Sequence, residues 1–367
     1  MLAALCQRLY ARYPFAKIVV PPNAEYRLRA VLGTYQLGSV QKFGFDFGLL
    51  LKLIPGRMRN LFGIVMPSEV DVIIDASGFA YGDQWGKDKA EKRLGGNIIQ
   101  FKAKRKHRKV ILMPQAMGPF TDRPLIEQMQ VIFENADLVF ARDPISLSHA
   151  QAIYPGNSIR MSPDFTNLLE TTHQIPHEIP EDAVCVIPNK KMLQMKAGND
   201  PTPYLSFMAT LINVAVGLGQ NCYILIHEGI GDINLAKAII SQAEVDVEII
   251  ELSSSTDIKT AIGFAKVVIS SRFHGLVSAL SQGIPVIATG WSHKYQLLLQ
   301  DYGVEDFLFD ESSEHERAVL ALRSLLTDSE QHRSVKINIT SGAKEQKRLA
   351  EKMWLDIFPV LDDAIRE

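Results

Sequence analysis

Features of secreted, membrane-spanning and metal-scaffolded proteins are missing from this sequence. Its 367 residues include only three cysteines, Cys6, Cys185 and Cys222, and so few, widely spaced thiols predict neither a disulfide framework nor a zinc site. No run approaches the ~20 apolar residues of a membrane span. The short apolar start has no basic segment before it and is interrupted by Gln7 and Arg8, so a signal peptide is not predicted. We therefore expect a cytoplasmic protein.

An excess of either charge is missing as well. Lysine and arginine total 39 against 41 aspartates and glutamates, which gives a formal charge of -2 and no overall attraction to nucleic acid or anionic lipid. The hydrophobic content of 47% excludes a disordered chain. A chain of this length is expected to form two domains, and any anionic ligand has to be bound by a local group of cations.

What the sequence does contain is a series of short runs rich in Val, Ile and Leu, each followed by turn residues and a helical pattern of apolar positions. Most runs are apolar at consecutive positions, which is typical of parallel strands covered on both faces by helices. The predicted fold class is therefore α/β, doubly wound. The nine predicted strands are Ala16–Val20, Val70–Asp75, Lys109–Met113, Leu138–Ala141, Ala183–Ile187, Cys222–His227, Val247–Glu251, Val267–Ser270 and Pro285–Thr289.

The strand pattern is interrupted between Thr171 and Asp182, where prolines, histidines and acids occur without periodicity. We predict an interdomain linker there, between an N-terminal Rossmann-like domain over 1–172 and a C-terminal Rossmann-like domain over 183–340. A C-terminal helix is predicted over 341–367. The chain opens with a helical pattern that leads into the first predicted strand, so the strand and Gly-rich turn that usually begin such a domain are not predicted.

Polar residues cluster just after the predicted strands, where open parallel sheets bind their ligands. The most specific group, Ser271, Arg272 and His274, stands at the start of a predicted helix. Backbone N–H groups, the helix dipole and a guanidinium predict an anion site there, and a histidine can move protons near neutral pH. The other candidate site residues are Ser77, Gly78, Gln115, Arg142, Asp143, Glu228, His293 and Lys294.

Several of these segments resemble the motifs of the polysaccharide pyruvyl transferase family, in order, over roughly 70–303. The run 265–295 is similar to the family's C-terminal signature and contains Ser271-Arg272-Phe273-His274-Gly275, Gly283-Ile284-Pro285 and Ser292-His293-Lys294-Tyr295. Upstream, 71–78 looks like a strand ending in a Gly-rich turn, 114–120 like the Pro-Gln-x-x-Gly-Pro element and 141–146 like the Arg-Asp-x-x-Ser element; Pro163-Asp164 and 227–232 also match in position. Two departures are the missing Gly-Asn-x-Gly-Asp type loop at the start and a glycine cluster reduced to Gly78.

The resemblance implies a transferase that moves the enolpyruvyl-derived group of phosphoenolpyruvate onto two hydroxyls of a sugar and so forms a pyruvate ketal. It also implies a GT-B-like scaffold, in which two Rossmann-like domains with parallel sheets face a central cleft. The acceptor is then a polysaccharide or its precursor for the cell envelope, as in exopolysaccharide biosynthesis. Phosphoenolpyruvate is expected as the donor substrate, with no cofactor and no metal.

The candidate residues suit this chemistry. Phosphoenolpyruvate carries a phosphate and a carboxylate, which two arginines, Arg142 and Arg272, are expected to bind. His274 is the candidate acid, and Asp143 and Glu228 are the candidates for a base or for orienting hydroxyls. Ser271 and Lys294 are expected to hydrogen-bond the departing phosphate. Ser77, Gly78, Gln115 and His293 complete the predicted substrate-binding set.

Two other functions stay open on the sequence: a GT-B-type glycosyltransferase that uses a nucleotide sugar, and a non-catalytic glycan-binding or assembly protein. The dense basic run at 102–109 indicates either the solvated end of a helix or a dock for anionic lipid headgroups or a lipid-linked glycan. The expected partners are phosphoenolpyruvate and a glycan or lipid-linked glycan, without nucleic acid. Peripheral contact with the inner face of the membrane and a homo-oligomer are both compatible with the sequence.

Overall fold

The computed structural model describes residues 1–38, 41–42, 45–46, 51–104, 107–156, 159–172, 179–195 and 200–365. The predicted α/β fold with parallel sheets is confirmed, and every one of the nine predicted strands is present, some of them shorter. The described strands are β1 (Val19–Val20), β2 (Tyr35–Leu37), β3 (Gln41–Lys42), β4 (Phe45–Asp46), β5 (Ile64–Val65), β6 (Val72–Asp75), β7 (Lys109–Gln115), β8 (Leu138–Ala141), β9 (Ile159–Met161), β10 (Val184–Ile187), β11 (Cys222–Ile226), β12 (Glu248–Glu251), β13 (Val267–Ser270) and β14 (Val286–Ala288).

Helices connect most of these strands. The described α-helices are α1 (Leu2–Arg12), α2 (Tyr26–Val31), α3 (Gly56–Leu61), α4 (Gly86–Ala90), α5 (Gly96–Lys104), α6 (Arg123–Asn135), α7 (Pro144–Ile153), α8 (Lys191–Met195), α9 (Thr202–Gly217), α10 (Gly229–Gln242), α11 (Ser255–Gly263), α12 (Phe273–Leu280), α13 (His293–Gln300), α14 (His315–Thr327) and α15 (Ser329–Ile365). Short 3-10 turns occur at Pro67–Glu69, Phe165–Leu168 and Glu305–Phe307, and a π-helical turn, Glu91–Gly95, joins α4 to α5. None of the described helices is long and apolar enough to cross a membrane.

The first of two compact units contains Met1–Pro163 and Lys352–Glu367. Its larger sheet has four parallel strands in the order β6-β7-β8-β9, and its smaller sheet has three in the order β1-β2-β5. Strand β7 is buried from Val110 to Gln115, which explains why its sequence is apolar at consecutive positions. The end of α15 packs on α1 in this unit, where Asp362 accepts hydrogen bonds from Tyr13 Oη at 2.6 Å and Arg12 Nη2 at 3.1 Å.

The second compact unit contains Asp164–Glu351. The division between the units therefore precedes the predicted linker, of which residues 173–178 lie outside the described residues. All five strands of its sheet are parallel, in the order β12-β11-β10-β13-β14. The chain moves outward from β10 to β12 and then returns to the other side of β10 with β13. The β10–β13 pair is consequently a topological switch point, where open α/β sheets bind ligands beyond the strand ends.

Candidate functional site

The loops that follow β10 and β13 are joined directly at the switch point of the second unit. Asn189, just after β10, donates from Nδ2 to the Ser271 carbonyl oxygen at 3.1 Å. The Ser271 backbone N–H donates to the Ile187 carbonyl at 3.2 Å. These bonds fix the path of the chain into α12, which begins at Phe273, and so they fix the positions of Arg272 and His274.

Arg272 is held by two carboxylates. Its Nη1 lies 2.5 Å from Glu228 Oε2, and its Nη2 donates to Asp232 Oδ2. Asp232 is fully buried, whereas the Glu228 side chain is 58% exposed. One cation therefore faces two anions, of which only the exposed Glu228 can leave without stranding a buried charge.

The pKa values of Glu228 and His227 are both lowered in this cluster. Burial raises the pKa of the Glu228 carboxyl, but the charge and hydrogen bond of Arg272 outweigh that effect, so the pKa lies below its ordinary value. Burial, followed by the charges of Arg272 and His274, lowers the pKa of His227 to about 3. The His227 ring is therefore neutral at physiological pH, and its Nδ1 has no hydrogen-bond partner among the described residues.

His274 faces a buried carboxylate. Its Nε2 lies 3.3 Å from Asp164 Oδ2, and the Asp164 side chain is 3% exposed while that of His274 is 36% exposed. The other oxygen of Asp164 accepts hydrogen bonds from Thr166 N at 2.9 Å and Thr166 Oγ1 at 2.6 Å. This arrangement gives the imidazole one fixed anionic neighbour and leaves part of the ring accessible to a ligand.

Asp164 is not among the predicted site residues. It follows β9, a strand that the sequence did not predict because Ile159 is the only buried residue in it. The signal that points to Asp164 is the Pro163-Asp164 pair, which is similar to residues of the family at that position. Most of the other candidates are polar residues that follow a strand closely, and Asp164 has the same position after β9.

Lys259 supports the turn that carries Asp164. This lysine of α11 is 3% exposed, and its Nζ donates to the Thr166 carbonyl at 2.9 Å and the Asn167 carbonyl at 3.3 Å. Burial and the nearby cation of Lys347 lower the pKa of the Lys259 ammonium to about 7, against the opposing charge of Asp164. Lys259, whose pKa is about 7, thus holds the turn that carries Asp164, the partner of His274.

Lys294 and His293 begin α13, which follows the neighbouring strand β14. Lys294 is buried, and its Nζ lies 5.1 Å from the ring centroid of Trp291 and 5.4 Å from those of Phe273 and Tyr295. The three rings hold the ammonium by cation–π attraction at the N-terminal end of the helix. His293 is exposed. The helix has no side-chain N-cap, and Ser292 Oγ has no hydrogen-bond partner among the described residues.

The hydroxyl of Ser271 points into the interior. Ser271 is fully buried, and its Oγ is hydrogen-bonded to Tyr204 Oη at 2.6 Å. Tyr204 Oη also accepts a hydrogen bond from Asn189 N at 3.0 Å, and burial raises the pKa of this phenol to about 12. In this geometry Ser271 positions the loop by its backbone and side chain.

A second polar group occurs in the first unit, after β6 and β7. Asp75 accepts hydrogen bonds from Ser77 N at 2.9 Å and from Tyr81 Oη; burial and the Asp75 charge raise the pKa of the Tyr81 phenol. Gln115 is buried, donates from Nε2 to the Asp75 carbonyl at 3.1 Å and accepts from Ser77 Oγ at 3.0 Å. Gly78 has a φ of +71°, a backbone conformation that residues with a Cβ rarely adopt, so this turn favours glycine.

Arg142 and Asp143 follow β8 in the same unit. Both are buried, and the Arg142 backbone N–H donates to the Gln115 carbonyl at 2.9 Å. Asp143 is the N-cap of α7, where its carboxylate accepts from Ser146 N at 2.7 Å and Ser146 Oγ at 2.9 Å. Both of its oxygens are thereby engaged in capping the helix.

The predicted residues therefore form two groups, one in each unit. The group in the second unit contains Glu228, which follows β11, and Ser271, Arg272 and His274, which follow β13. It also contains His293 and Lys294, the first two residues of α13 after the neighbouring strand β14. Ser77, Gly78, Gln115, Arg142 and Asp143 form the group in the first unit. Among the described residues, no cluster of three or more histidines, cysteines or carboxylates could hold a metal ion.

Comparison with known proteins agrees with these motifs. The family model described as polysaccharide pyruvyl transferase matches residues 1–293 of the chain. No curated protein sequence matches it significantly.

Solved structures are similar in fold at low sequence identity. An S. aureus MnaA–UDP co-structure has a TM-score of 0.58 at 11% identity, over 100% of this chain and 94% of that one. A UDP-GlcNAc 2-epimerase from Neisseria meningitidis bound to UDP-GlcNAc has a TM-score of 0.56 at 11% identity, over 96% of each chain. HepE from Anabaena in complex with UDP-glucose has a TM-score of 0.57 at 14% identity, over 96% of each chain. These neighbours have GT-B glycosyltransferase or epimerase folds, which confirms the predicted fold class.

Proposed function

The chain belongs to the polysaccharide pyruvyl transferase family, whose model matches residues 1–293, and we propose that it forms a pyruvate ketal on a sugar with phosphoenolpyruvate as the donor. The acceptor is a glycan or lipid-linked glycan that presents two neighbouring hydroxyls. Inorganic phosphate is the second product. No cofactor or metal enters the proposed reaction.

A proton adds to the methylene carbon of phosphoenolpyruvate, and the carbon next to it becomes electron-deficient. The oxygen of one sugar hydroxyl bonds to that carbon, the C–O bond to phosphate breaks, and the oxygen of the second hydroxyl completes the ketal. Of the two hydroxyl protons, one replaces the proton taken up by the new methyl group and the other leaves with phosphate.

The Arg272 cluster is the observation that carries the proposal. Its guanidinium already binds one exposed carboxylate, that of Glu228, at 2.5 Å. The carboxylate of the donor has the same geometry and can take the place of Glu228, because Glu228 can turn into solvent while Asp232 keeps the remaining nitrogen paired. In this proposal Glu228 therefore competes with the donor carboxylate for Arg272. It occupies that position when no donor is bound and moves away when the donor binds.

The donor phosphate is assigned to the N-terminal ends of α12 and α13. These helices follow adjacent strands, and neither has a side-chain cap on its first N–H groups. The positive end of a helix dipole favours an anion. Lys294, fixed among three aromatic rings, adds a charge in the first turn of α13 and stabilises the phosphate as it leaves.

His274 is the proposed general acid. Its partly exposed ring can present a proton to the donor, and the buried Asp164 carboxylate stabilises the imidazolium form before transfer. After the proton has moved to the methylene carbon, the neutral ring can accept a proton from a sugar hydroxyl. Asp164 is thus a positioning residue that acts through His274.

Phosphate release from phosphoenolpyruvate, measured with a set of acceptor glycosides, tests the proposal. We expect release only with an acceptor, together with a new methyl signal of the ketal in the NMR spectrum of the sugar. For variants of Arg272, Arg348→Ala is a matched control, since Arg348 pairs with Glu345 on an exposed face of α15. Turnover of UDP-sugars without phosphoenolpyruvate would indicate a glycosyltransferase instead, and glycan binding without turnover would indicate an assembly protein.

A further inference from the structure

Exposed apolar side chains are concentrated in one short part of the first unit. Of the 16 large apolar side chains that are exposed among the described residues, eight lie within residues 15–62. Helix α3 shows the pattern most clearly: Met58 and Leu61 lie on one helical face, Phe62 directly follows the helix, and the three are 49%, 84% and 71% exposed. Helix α2 contributes Leu28 and Val31 at the same spacing, and neither helix buries any residue.

The topology brings these two helices together. Helix α2 connects β1 to β2, and α3 lies in the connection from β2 to β5, while the sheet order is β1-β2-β5 with parallel pairing. Right-handed crossovers that proceed in one direction along a sheet place their helices on the same face. We therefore expect α2 and α3 on the same side of the small sheet, and we call their exposed apolar side chains, Leu28, Val31, Met58, Leu61 and Phe62, the apolar face.

The segment that contains the apolar face is rich in lysine and arginine. Residues 12–62 contain eight lysines and arginines against two acids, a formal charge of +6 in a chain whose total is -2. Exposed Arg27, Lys52 and Arg57 each precede an exposed apolar residue in the sequence. Among the described residues, none of these three cations has a carboxylate within ion-pair distance.

The basic run at 102–109, by contrast, has three of its cations engaged within the protein. Lys102 Nζ lies 2.6 Å from Asp137, and Lys109 Nζ lies 2.5 Å from Asp363. Arg108 is buried and donates to the Ser68 carbonyl at 2.8 Å. Residues 105 and 106 lie outside the described residues. Lys102, Arg108 and Lys109 are therefore engaged within the protein, although the run has the highest density of positive charge in the sequence.

We propose that the apolar face is a docking surface for an anionic membrane. Exposed Leu, Met and Phe side chains enter the boundary between headgroups and acyl chains, while Arg27, Lys52 and Arg57 bind anionic headgroups. A second copy of the chain fits less well, because a two-fold contact through this face brings Arg27, Lys52 and Arg57 close to the same three cations of the second copy. Docking of this kind brings the enzyme to an acceptor carried on a lipid.

Flotation of the full-length protein with vesicles tests this proposal. We expect stronger binding to phosphatidylglycerol–phosphatidylcholine vesicles than to phosphatidylcholine vesicles, and a further loss of binding as salt is raised. The double variant Leu61→Ser/Phe62→Ser should bind at least about tenfold more weakly. Arg27→Gln/Arg57→Gln should lose roughly fivefold per charge. The matched control is Leu320→Ser/Leu355→Ser, which changes equally exposed leucines outside this segment and should bind like the wild type.

Three results would overturn the proposal. One is equal binding of the wild type to both vesicles, or none to either. Another is unchanged binding of Leu61→Ser/Phe62→Ser when its thermal unfolding matches the wild type. The third is an oligomer, seen by analytical ultracentrifugation, that dissociates in this variant while vesicle binding is absent, which would assign the face to a second copy of the chain.

Discussion

His274 Nε2 lies 3.3 Å from the Asp164 carboxylate, which is almost completely buried. The two residues are distant in sequence and belong to the same compact unit. A buried carboxylate beside an exposed imidazole fixes the ring and stabilises its protonated form. Proton transfer by His274 is therefore expected to depend on Asp164 more than binding of the donor does.

Replacement of Asp164 by asparagine should separate these two effects. Asp164→Asn keeps the shape of the side chain and removes its charge, so we expect kcat to fall about 100-fold while KM for phosphoenolpyruvate changes little. Steady-state kinetics measures both. Asp362→Asn is the control, since Asp362 pairs with Arg12 in the other unit. A loss confined to KM would contradict the assigned role.

Glu228 provides a test of the donor-binding geometry. If the donor carboxylate replaces Glu228 at Arg272, Glu228→Gln removes a competing charge and should tighten donor binding roughly fivefold. Isothermal titration with phosphoenolpyruvate measures this change. Weaker donor binding in Glu228→Gln would show that Glu228 contributes to the donor site and does not compete for it.

Lys259 should make the stability of the protein depend on pH in a defined direction. The pKa of Lys259 in the folded state is about 7, below the ~10.4 of an unfolded lysine. Between these values the unfolded state binds more protons, so the free energy of unfolding rises with pH there, and the cost of burying the charge is fully present below pH ~7. Lys259→Met removes this pH-dependent contribution to the free energy of unfolding.

Denaturant unfolding of the wild type and Lys259→Met across that pH range checks the prediction. The stability of Lys259→Met relative to the wild type should decrease as pH rises from neutral to alkaline. Lys266→Met is a control, since Lys266 is only partly buried and also donates to a carbonyl, that of Leu326. A pH-independent difference between Lys259→Met and the wild type would contradict the lowered pKa.

Ser271 is expected to affect stability more than binding. Ser271→Ala removes the hydroxyl that is hydrogen-bonded to Tyr204 in the interior, so the free energy of unfolding should fall by about 1 kcal/mol. Affinity for phosphoenolpyruvate should stay at the wild-type value, because the hydroxyl is fully buried against Tyr204. A large loss of donor affinity with unchanged stability would return Ser271 to the phosphate-binding role suggested by the sequence.

The sequence predicts the large sheets well and the small one poorly, for a physical reason. Strands such as Val184–Ile187 and Val267–Ser270 are buried on both faces and therefore apolar at consecutive positions. The unpredicted strands are short and lie at sheet edges or in the small sheet: Ile159–Met161 buries one residue, and Tyr35–Leu37 buries none. Such segments carry no periodic signal over their few residues.

The residues of the candidate site, too, can be predicted from the sequence only in part. Arg272 and His274 are identifiable because they follow a strong strand and match a motif. Of their partners, Glu228 is a predicted candidate, but Asp232 and Asp164 are not. Asp232 lies in α10, after a strand separated from β13 by β10, and Asp164 follows the unpredicted β9. The pairing order β11-β10-β13 brings Asp232 to Arg272, whereas Asp164 reaches His274 from the turn after β9, a strand of the other sheet. The interior direction of the Ser271 hydroxyl likewise depends on Tyr204 in a distant helix.

The most direct measurement of the central claim compares donor binding and turnover in three proteins. We expect His274→Ala to bind phosphoenolpyruvate with the wild-type affinity and to release no phosphate. We expect Arg272→Lys, which keeps a charge beside the buried Asp232 but loses the guanidinium fork, to bind the donor at least about tenfold more weakly. Equal affinity for phosphoenolpyruvate in the wild type and a folded Arg272→Lys, or phosphate release at the wild-type rate by His274→Ala, would contradict the account.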